Sequence, residues 1–424
     1  MQDKINSRLS RVDQIVAWRI CMGCGACAWV CPVKAISLND IIDKGIRPLV
    51  NEQICIHCGK CVKVCPGSFL VRIAFPQGTI KKLESGWGPV LQLWEGYAAD
   101  NEIRYKASSG GIATAIAMWA LQKGRFSGVL HIASDSNNCT KNIPTFSKTS
   151  LDLLKTIGSR YAPAAPCQSF DSIKNSGGPC LFIGKPCDCA ALRKACAIDL
   201  DLKAKVGMVV SIFCAGTPTT AGTLALLDKM GIDKQVKIKS LRYRGFGWPG
   251  KVTAIIENKY SSSEKSLKET IRMNYDKAWG DILSKYGQLR CRLCPDKTGE
   301  YADIAIGDPW YRDTDDDPGR SLILIRSVIG EKFWYNLCNS MYVKSEPVDW
   351  YRLPQAQKSI YKGRCSLYGR LIVFKILNLP RPVYIGFSIR EEWKKITLIR
   401  KIRSIYGTFR RIIQRKWYLR EFLE

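Results

Sequence analysis

Apolar residues along the chain fall into short blocks set off by glycine and proline. Ile112–Leu121 is an apolar run opened by Ser108-Ser109-Gly110-Gly111, and its length predicts a buried helix. Gly128–Ile132, Cys180–Gly184 and Val206–Phe213 are β-rich apolar runs bounded by Gly or Pro, which predicts buried strands. From about residue 96 onward this alternation predicts a mixed α/β domain, continuing to about residue 350. Between Pro66 and Trp94, Pro76, Gly78, Gly86, Gly88 and Pro89 read as punctuation, and residues 81–95 as a linker. Near the C-terminus, Ile399, Ile402, Tyr406, Phe409 and Ile413 keep a 3-4-3-4 spacing. They form one stripe of a helix, with basic residues around it.

Length and charge narrow the picture. A chain of 424 residues predicts two to three domains. No apolar run approaches the roughly 18–20 residues of a membrane span. Met1–Ser10 carries charges with no apolar block behind them, so a secretory signal is not expected and a cytoplasmic placement is. Lys and Arg number 65 against 37 Asp and Glu, a formal charge of +28. A 4Fe–4S cluster on four thiolates carries about −2 when oxidised, so bound clusters would lower this total but leave it basic. Acidic partners follow, such as an anionic membrane surface or an anionic substrate. Nucleic acid is not expected, for want of a recognisable motif.

Nineteen cysteines and two histidines, His57 and His131, favour thiolate metal or redox chemistry over disulfides or histidine-based catalysis. Cys21, Cys24, Cys27 and Cys31, followed by Pro32, recur 34 residues later as Cys55, Cys58, Cys61 and Cys65, followed by Pro66. This C-x2-C-x2-C-x3-C-P run holds 4Fe–4S clusters, and the fourth cysteine of each run ligates the other cluster. One cluster is therefore expected on Cys21, Cys24, Cys27 and Cys65, the other on Cys55, Cys58, Cys61 and Cys31. Two zinc sites are the alternative. The expected module is an α+β ferredoxin-like unit over residues 1–80, with repeats at about 12–41 and 46–75.

Further motifs follow in order: Ser108-Ser109-Gly110-Gly111, Gly158-Ser159-Arg160-Tyr161, Gly184-Lys-Pro-Cys187, Phe213-Cys214-Ala-Gly216, Arg244-Gly-Phe-Gly-Trp248, Arg290-Cys291-Arg-Leu-Cys294 and Ala302-Asp303-Ile-Ala-Ile-Gly307-Asp308. With these, residues 96–350 resemble the beta subunit of coenzyme F420 hydrogenases and dehydrogenases. The resemblance implies FAD and an iron–sulfur cluster in this domain. Ser108–Gly111 opens a helix and would make an anion cradle for a pyrophosphate, or a plain N-cap. Ser159, Arg160 and Tyr161 would add a hydroxyl, a guanidinium and a ring, or be a turn with a core tyrosine. Asp308 would touch a polar edge of flavin or substrate, or serve as a turn residue. Cys187, Cys214, Cys291 and Cys294 stand where the family carries cysteines and would hold a third 4Fe–4S cluster. Zinc is the rival there, and Cys189 the substitute for Cys187. Asp313–Asp317 is an acidic loop.

Residues 351–424 read as a basic helical tail. From Arg390 to Arg420 there are eleven Lys or Arg and two Glu. Such a helix suits a membrane surface, or packs on the body with a solvated basic face. Clusters exchange single electrons, and most organic substrates exchange pairs; a flavin does both. The expected protein is thus an iron–sulfur flavoprotein oxidoreductase. It would work between a ferredoxin-like carrier or partner redox subunit and a two-electron substrate such as coenzyme F420. The alternative is a non-catalytic relay subunit without flavin.

Overall fold

In the computed structural model, which describes residues 9–258, 267–312 and 317–421, local patterning and backbone pairing agree over most of the chain. The first segment contributes an antiparallel hairpin of β1 (Ile36–Ile41) and β2 (Gly45–Val50), and a short strand β3 (Phe69–Val71). The strands of the large domain are β4 (Gln92–Ala98), β5 (Gly128–Ser134), β6 (Asn142–Ser147), β7 (Cys180–Gly184), β8 (Val206–Ile212), β9 (Lys237–Arg242), β10 (Lys251–Asn258), β11 (Leu267–Asn274), β12 (Ile304–Gly307), β13 (Ser321–Ile325) and β14 (Val343–Pro347). Eight of them form one sheet in the order β14-β4-β13-β12-β8-β7-β5-β6, and β9, β10 and β11 form an antiparallel sheet of their own.

Strands β5, β7, β8 and β12 run parallel at the centre of the large sheet; the flanking pairs are antiparallel. Parallel strands need cover on both faces, and their sequences are apolar at nearly every position. Leu181, Val210 and Ile304 face the helices Ile112–Gln122 and Val328–Asn339, while Phe182 and Val209 face Leu192 and Ala195 of the helix Pro186–Cys196. The three strands and the helix expected from apolar blocks are present as β5, β7, β8 and Ile112–Gln122.

The cysteine-rich segment sits on this body and shares its core. Ile15, Ile20 and Trp29 belong to the same buried cluster as Phe170, Phe182 and Leu192. Gly23 passes so close to β2 that a Cβ would lie 2.6 Å from the Ile46 carbonyl oxygen, at a left-handed φ of +71°. Polar contacts fasten the seat. The Cys167 amide donates to the Cys24 carbonyl (3.0 Å), Trp29 Nε1 to Asp171 (2.8 Å), and Arg290 to the carbonyls of Pro66 and Gly67 (3.0 Å each).

Burial bears on two expectations. Residues 81–95 are not a solvated linker: Leu83, Trp87, Val90 and Leu93 are buried, and β4 begins at Gln92. Residues 351–424 take the packed alternative expected for their helix. A strand β15 (Val383–Ile385) pairs in parallel with β3, Ile412 and Trp417 lie in the main core, and the Glu421 amide donates to the Ala17 carbonyl (2.9 Å). The acidic loop at 313–317 lies outside the described residues except for Asp317, which pairs with Arg104 and Arg320. Among the described residues, no helix is long and apolar enough to cross a membrane.

Three parts of the chain meet at one carboxylate. Glu300, wholly buried, pairs with Arg72 of the N-terminal segment and Arg364 of the C-terminal segment, each at 2.5 Å. Burial works to raise its pKa, but Arg364 and Arg72 prevail and hold the carboxyl below its usual value. This stabilisation is present above the ordinary carboxylate range and is lost as pH falls through the depressed value. Glu300→Ala strands two buried guanidinium groups, and the expected cost is about 3–5 kcal/mol. Denaturant unfolding of the cluster-loaded protein checks this; a variant as stable as the parent would remove the role.

Candidate functional site

Cysteines of the two N-terminal repeats lie close together, with Cys27 near members of both repeats. Cys21, Cys24, Cys27 and Cys65 lie within electrostatic reach of one another. Burial, reinforced by Cys24 and Cys21, pushes the Cys65 thiol up to about 12. Cys31, Cys55, Cys58 and Cys61 line a separate cavity nearer the surface, together with His57 and Val12. Left-handed glycines, Gly25 and Gly59, open the short helices that carry Cys27 and Cys61. Amides of Gly23, Ala35 and Gly67 donate to Cys21, Cys31 and Cys65 at 3.2–3.3 Å. Donors aimed at sulfur favour the thiolate form that a cluster requires.

Cys187, Cys214, Cys291 and Cys294 come together from three elements. Cys214 follows β8, Cys187 sits in the first turn of the helix after β7, and Cys291 and Cys294 flank the end of the short helix Leu289–Arg292. All four line one small cavity with Met22, Arg290 and Lys297. The Thr217 amide donates to Cys291 Sγ at 3.4 Å. Burial, then the neighbouring Cys291, pushes the Cys214 thiol up to about 12. Cys189 does not replace Cys187: it points away, toward the Val210 and Gly184 carbonyls. Cys139, Cys167, Cys180, Cys196 and Cys365 are buried and Cys338 is half-buried. Among the described residues no group of three or more His, Cys, Asp or Glu side chains is placed to hold a single metal ion. Cys31, Cys55, Cys58 and Cys61 line one cavity and Cys187, Cys214, Cys291 and Cys294 another.

A larger cavity of about 310 Å³ opens at the carboxyl ends of the four parallel strands, lined there by Ile132, Ile183, Ile212 and Ile306. Ligands of α/β sheets bind at this end of the strands, and the volume falls within the range of small-molecule sites. Ser108, Ser109, Gly111, Ser159, Tyr161 and Asp308 all line it. Gly110 does not: it packs against Gly319, where a Cβ would lie 2.6 Å from the carbonyl oxygen. The Ser159 amide donates to Ser108 Oγ (3.1 Å), which joins the two turns. Gly111 caps the helix Ile112–Gln122 with no side-chain bond, and Ala113 and Thr114 of the first turn face the cavity. Arg160 also lines the cavity, but its guanidinium is largely engaged, donating to Asn142 and to the Leu241, Cys139 and Lys141 carbonyls.

Family comparisons bear on these sites. Family models for the N-terminal and C-terminal parts of the coenzyme F420 hydrogenase/dehydrogenase beta subunit match residues 93–170 and 179–350, and a "4Fe-4S dicluster domain" matches residues 20–68. The chain belongs to the coenzyme F420 hydrogenase/dehydrogenase beta-subunit family. The coenzyme F420 hydrogenase subunit beta of Methanosarcina barkeri is 24% identical over 262 residues, 59% of this chain and 80% of that one. The coenzyme F420-dependent sulfite reductase of Methanocaldococcus jannaschii is 26% identical over 340 residues, 76% of this chain and 46% of that one. The fold matches a chain of the F420-reducing NiFe hydrogenase complex from Methanosarcina barkeri with a TM-score of 0.51 at 21% identity, over 70% of this chain and 95% of that chain. This chain is accordingly an iron–sulfur member of an oxidoreductase family, with a ferredoxin-like N-terminal module on a mixed α/β body.

In this family member the cavity has a polar anchor that composition and spacing do not reveal. Asp308, at the carboxyl end of β12, accepts from Arg244 through both oxygens (2.8 and 2.9 Å), from Trp248 Nε1 (2.8 Å) and from Ser109 Oγ. Burial opposes the charge, but Arg244 holds the carboxyl below its usual value. The carboxylate is thus spent on positioning Arg244 and the serine turn. Arg244 lies over Tyr275 (4.8 Å) and Trp310 (5.6 Å), two rings stacked at 5.7 Å. Asp303, at the other end of β12, is held by Arg193, Ser327 and the Val209 amide, away from the cavity. Tyr275 and Trp310 were missed because neither stands within one of the motifs; their grouping around Arg244 appears only in space. Asp308→Ala leaves Arg244 buried and unpaired, at an expected cost of about 3–5 kcal/mol. Asp308→Asn retains acceptors for Ser109 and Trp248 and should lose less. Denaturant melts in which both variants match the parent would refute the anchor.

Proposed function

We propose that this protein is an iron–sulfur flavoprotein that passes electrons between a one-electron partner and a two-electron substrate held at the large cavity. The observation that carries the reading is continuity. Cys214, Gly216 and Thr217 line both the four-cysteine cavity and the large one, and Met22, beside Cys21 in sequence, also lines the four-cysteine cavity. Cysteine sets and cavity thus adjoin in a series from the surface inward.

In this reading Cys21, Cys24, Cys27 and Cys65 hold one 4Fe–4S cluster, Cys31, Cys55, Cys58 and Cys61 the second, and Cys187, Cys214, Cys291 and Cys294 the third. Four thiols ringing a cavity suit a cubane, which spreads its ligands, better than one zinc ion. FAD would supply the exchange between single electrons and pairs. The uncapped first turn of Ile112–Gln122, with Ser108, Ser109, Gly111 and Ser159, suits its phosphates. Tyr161, packed on Trp279 at 4.9 Å, and the Tyr275–Trp310 stack offer flat apolar surface to a ring system. Coenzyme F420 is the substrate we infer, since the relatives named above are coenzyme F420 hydrogenase and F420-dependent reductase proteins. Because the first is named as one subunit of its enzyme, a partner redox subunit or ferredoxin-like carrier is the inferred source or sink of single electrons. A relay subunit without flavin is the second reading, favoured by that same name.

Iron and flavin content separate the readings. An anaerobic preparation should hold about twelve irons per chain, three cubanes of four, and release FAD on denaturation. Ala113→Glu sets a carboxylate on the cavity wall at the helix N-terminus, so FAD should be lost while iron stays. Eight irons with one zinc would remove the third cluster, and flavin-free protein with full iron would leave the relay reading.

A further inference from the structure

The C-terminal helix Leu398–Gln414 carries the apolar stripe expected from its spacing, but that stripe faces outward. Leu398, Ile399, Ile402, Tyr406, Phe409 and Ile413 are 45–70% exposed. The opposite side holds the helix down: Ser404, Thr408 and Ile412 are buried, and Ser404 Oγ donates to the Ser366 carbonyl (2.8 Å) beside the helix Leu367–Ile376. Packing on the body has therefore used Ser404, Thr408 and Ile412, with Ile405 against the core, and left the apolar stripe outside.

At about 100° per residue, the six exposed apolar side chains span about a 100° arc. Arg410 and Arg403 follow immediately along one border of that arc, and Arg400 lies about 100° beyond it; all three are exposed. Lys401 and Arg411 complete five basic residues, and the helix contains no acidic one. An apolar stripe edged by guanidinium groups matches a bilayer surface that is apolar inside and anionic at its headgroups. Long arginine side chains reach headgroup phosphates while their stems lie on the apolar boundary. A face for an acidic protein would expose less apolar area among the charges, and a face for a second copy of this helix would set arginine rows against each other.

We propose that Leu398–Gln414 is a peripheral docking surface for an anionic lipid bilayer, lying in the plane of the membrane with Ile402 and Phe409 at its centre. The helix is built into the body, so docking brings the whole redox unit to the surface rather than tethering it by a flexible tail.

The test uses the full cluster-loaded chain and extruded vesicles, one set of pure phosphatidylcholine and one with about a third phosphatidylglycerol, an anionic lipid. Expected is co-sedimentation with the anionic vesicles at low salt, at least tenfold weaker at about 1 M salt, where the screening length is about 3 Å. The pair Ile402→Glu and Phe409→Glu should abolish binding with iron content and circular dichroism unchanged. Should that pair disturb folding, Arg403→Glu with Arg410→Glu, both exposed, should abolish binding equally. No sedimentation at low salt overturns the proposal, as does equal binding to both vesicle sets. So does a parent dimer that the glutamate pair turns into monomers in the absence of any vesicle binding, which would assign the stripe to a second copy.

Discussion

The buried Glu300 carboxylate is the constraint on which the arrangement of the whole chain depends. An uncompensated charge at that depth is prohibitive, so Arg72 and Arg364 must both arrive for the fold to close. One comes from the cysteine-rich segment and the other from the C-terminal segment. The intervening stretch is drawn in as well: Gly88 runs so close to Glu300 that a Cβ would lie 2.5 Å from its Oε2. Arg326 then clamps the same stretch through the Trp87 and Pro89 carbonyls (2.9 and 2.7 Å) and ties it to Thr298. Charge pairing thereby fixes the seat of the small module against the sheet, and with it the placement of Met22 at the third set of cysteines.

What the sequence made legible is what local chemistry dictates. The repeated cysteine spacing marks the module because a cubane demands compact thiolates. The strands β5, β7 and β8 are legible because two-sided burial leaves few polar positions. Strand β4, in contrast, alternates Trp94 and Glu95 with glycine nearby, and Glu95 is buried only because Arg312 reaches it from 217 residues away. Glycine and proline around residues 76–89 look like a solvated linker for the same reason: their partners, Glu300 and Arg326, are far along the chain. Arg160 looks free for a phosphate until the carbonyls of Cys139, Lys141 and Leu241 converge on it.

The tail shows a different limit. Periodicity reports that a helix has one apolar face, and says nothing of which way that face points. In Leu398–Gln414 the neighbouring helix offers Gly369, whose missing side chain leaves room for Ser404 Oγ, at 2.6 Å from where a Cβ would stand. Close approach at Gly369 and Ser404, together with burial of Ile412, set the helix down on the side away from its bulky stripe. The candidate site has a similar history. Its turn residues were readable one by one, but Asp308 proved to be the acceptor that organises Arg244, Trp248 and Ser109 rather than a free carboxylate.

Exposure along the cysteine sets gives the redox reading a direction in space, though not in time. Cys58 is exposed and Cys55 and Cys61 are half-buried, whereas Cys21, Cys24 and Cys27 are buried under the body. Under the proposed ligation the outer cluster is the one an external carrier can approach, and the inner one is shielded from it. Shielding and amide donors to sulfur both act on cluster potential, the first by opposing extra charge and the second by favouring it. The third set is again half-buried, but it opens toward the large cavity through Cys214 and Thr217 rather than toward a carrier at the outer cluster. A one-electron partner and a two-electron substrate would therefore meet the protein at separate places, which keeps the substrate from reacting directly with the carrier. That separation depends on the seat of the small module, and so returns to the arginines that Glu300 holds together.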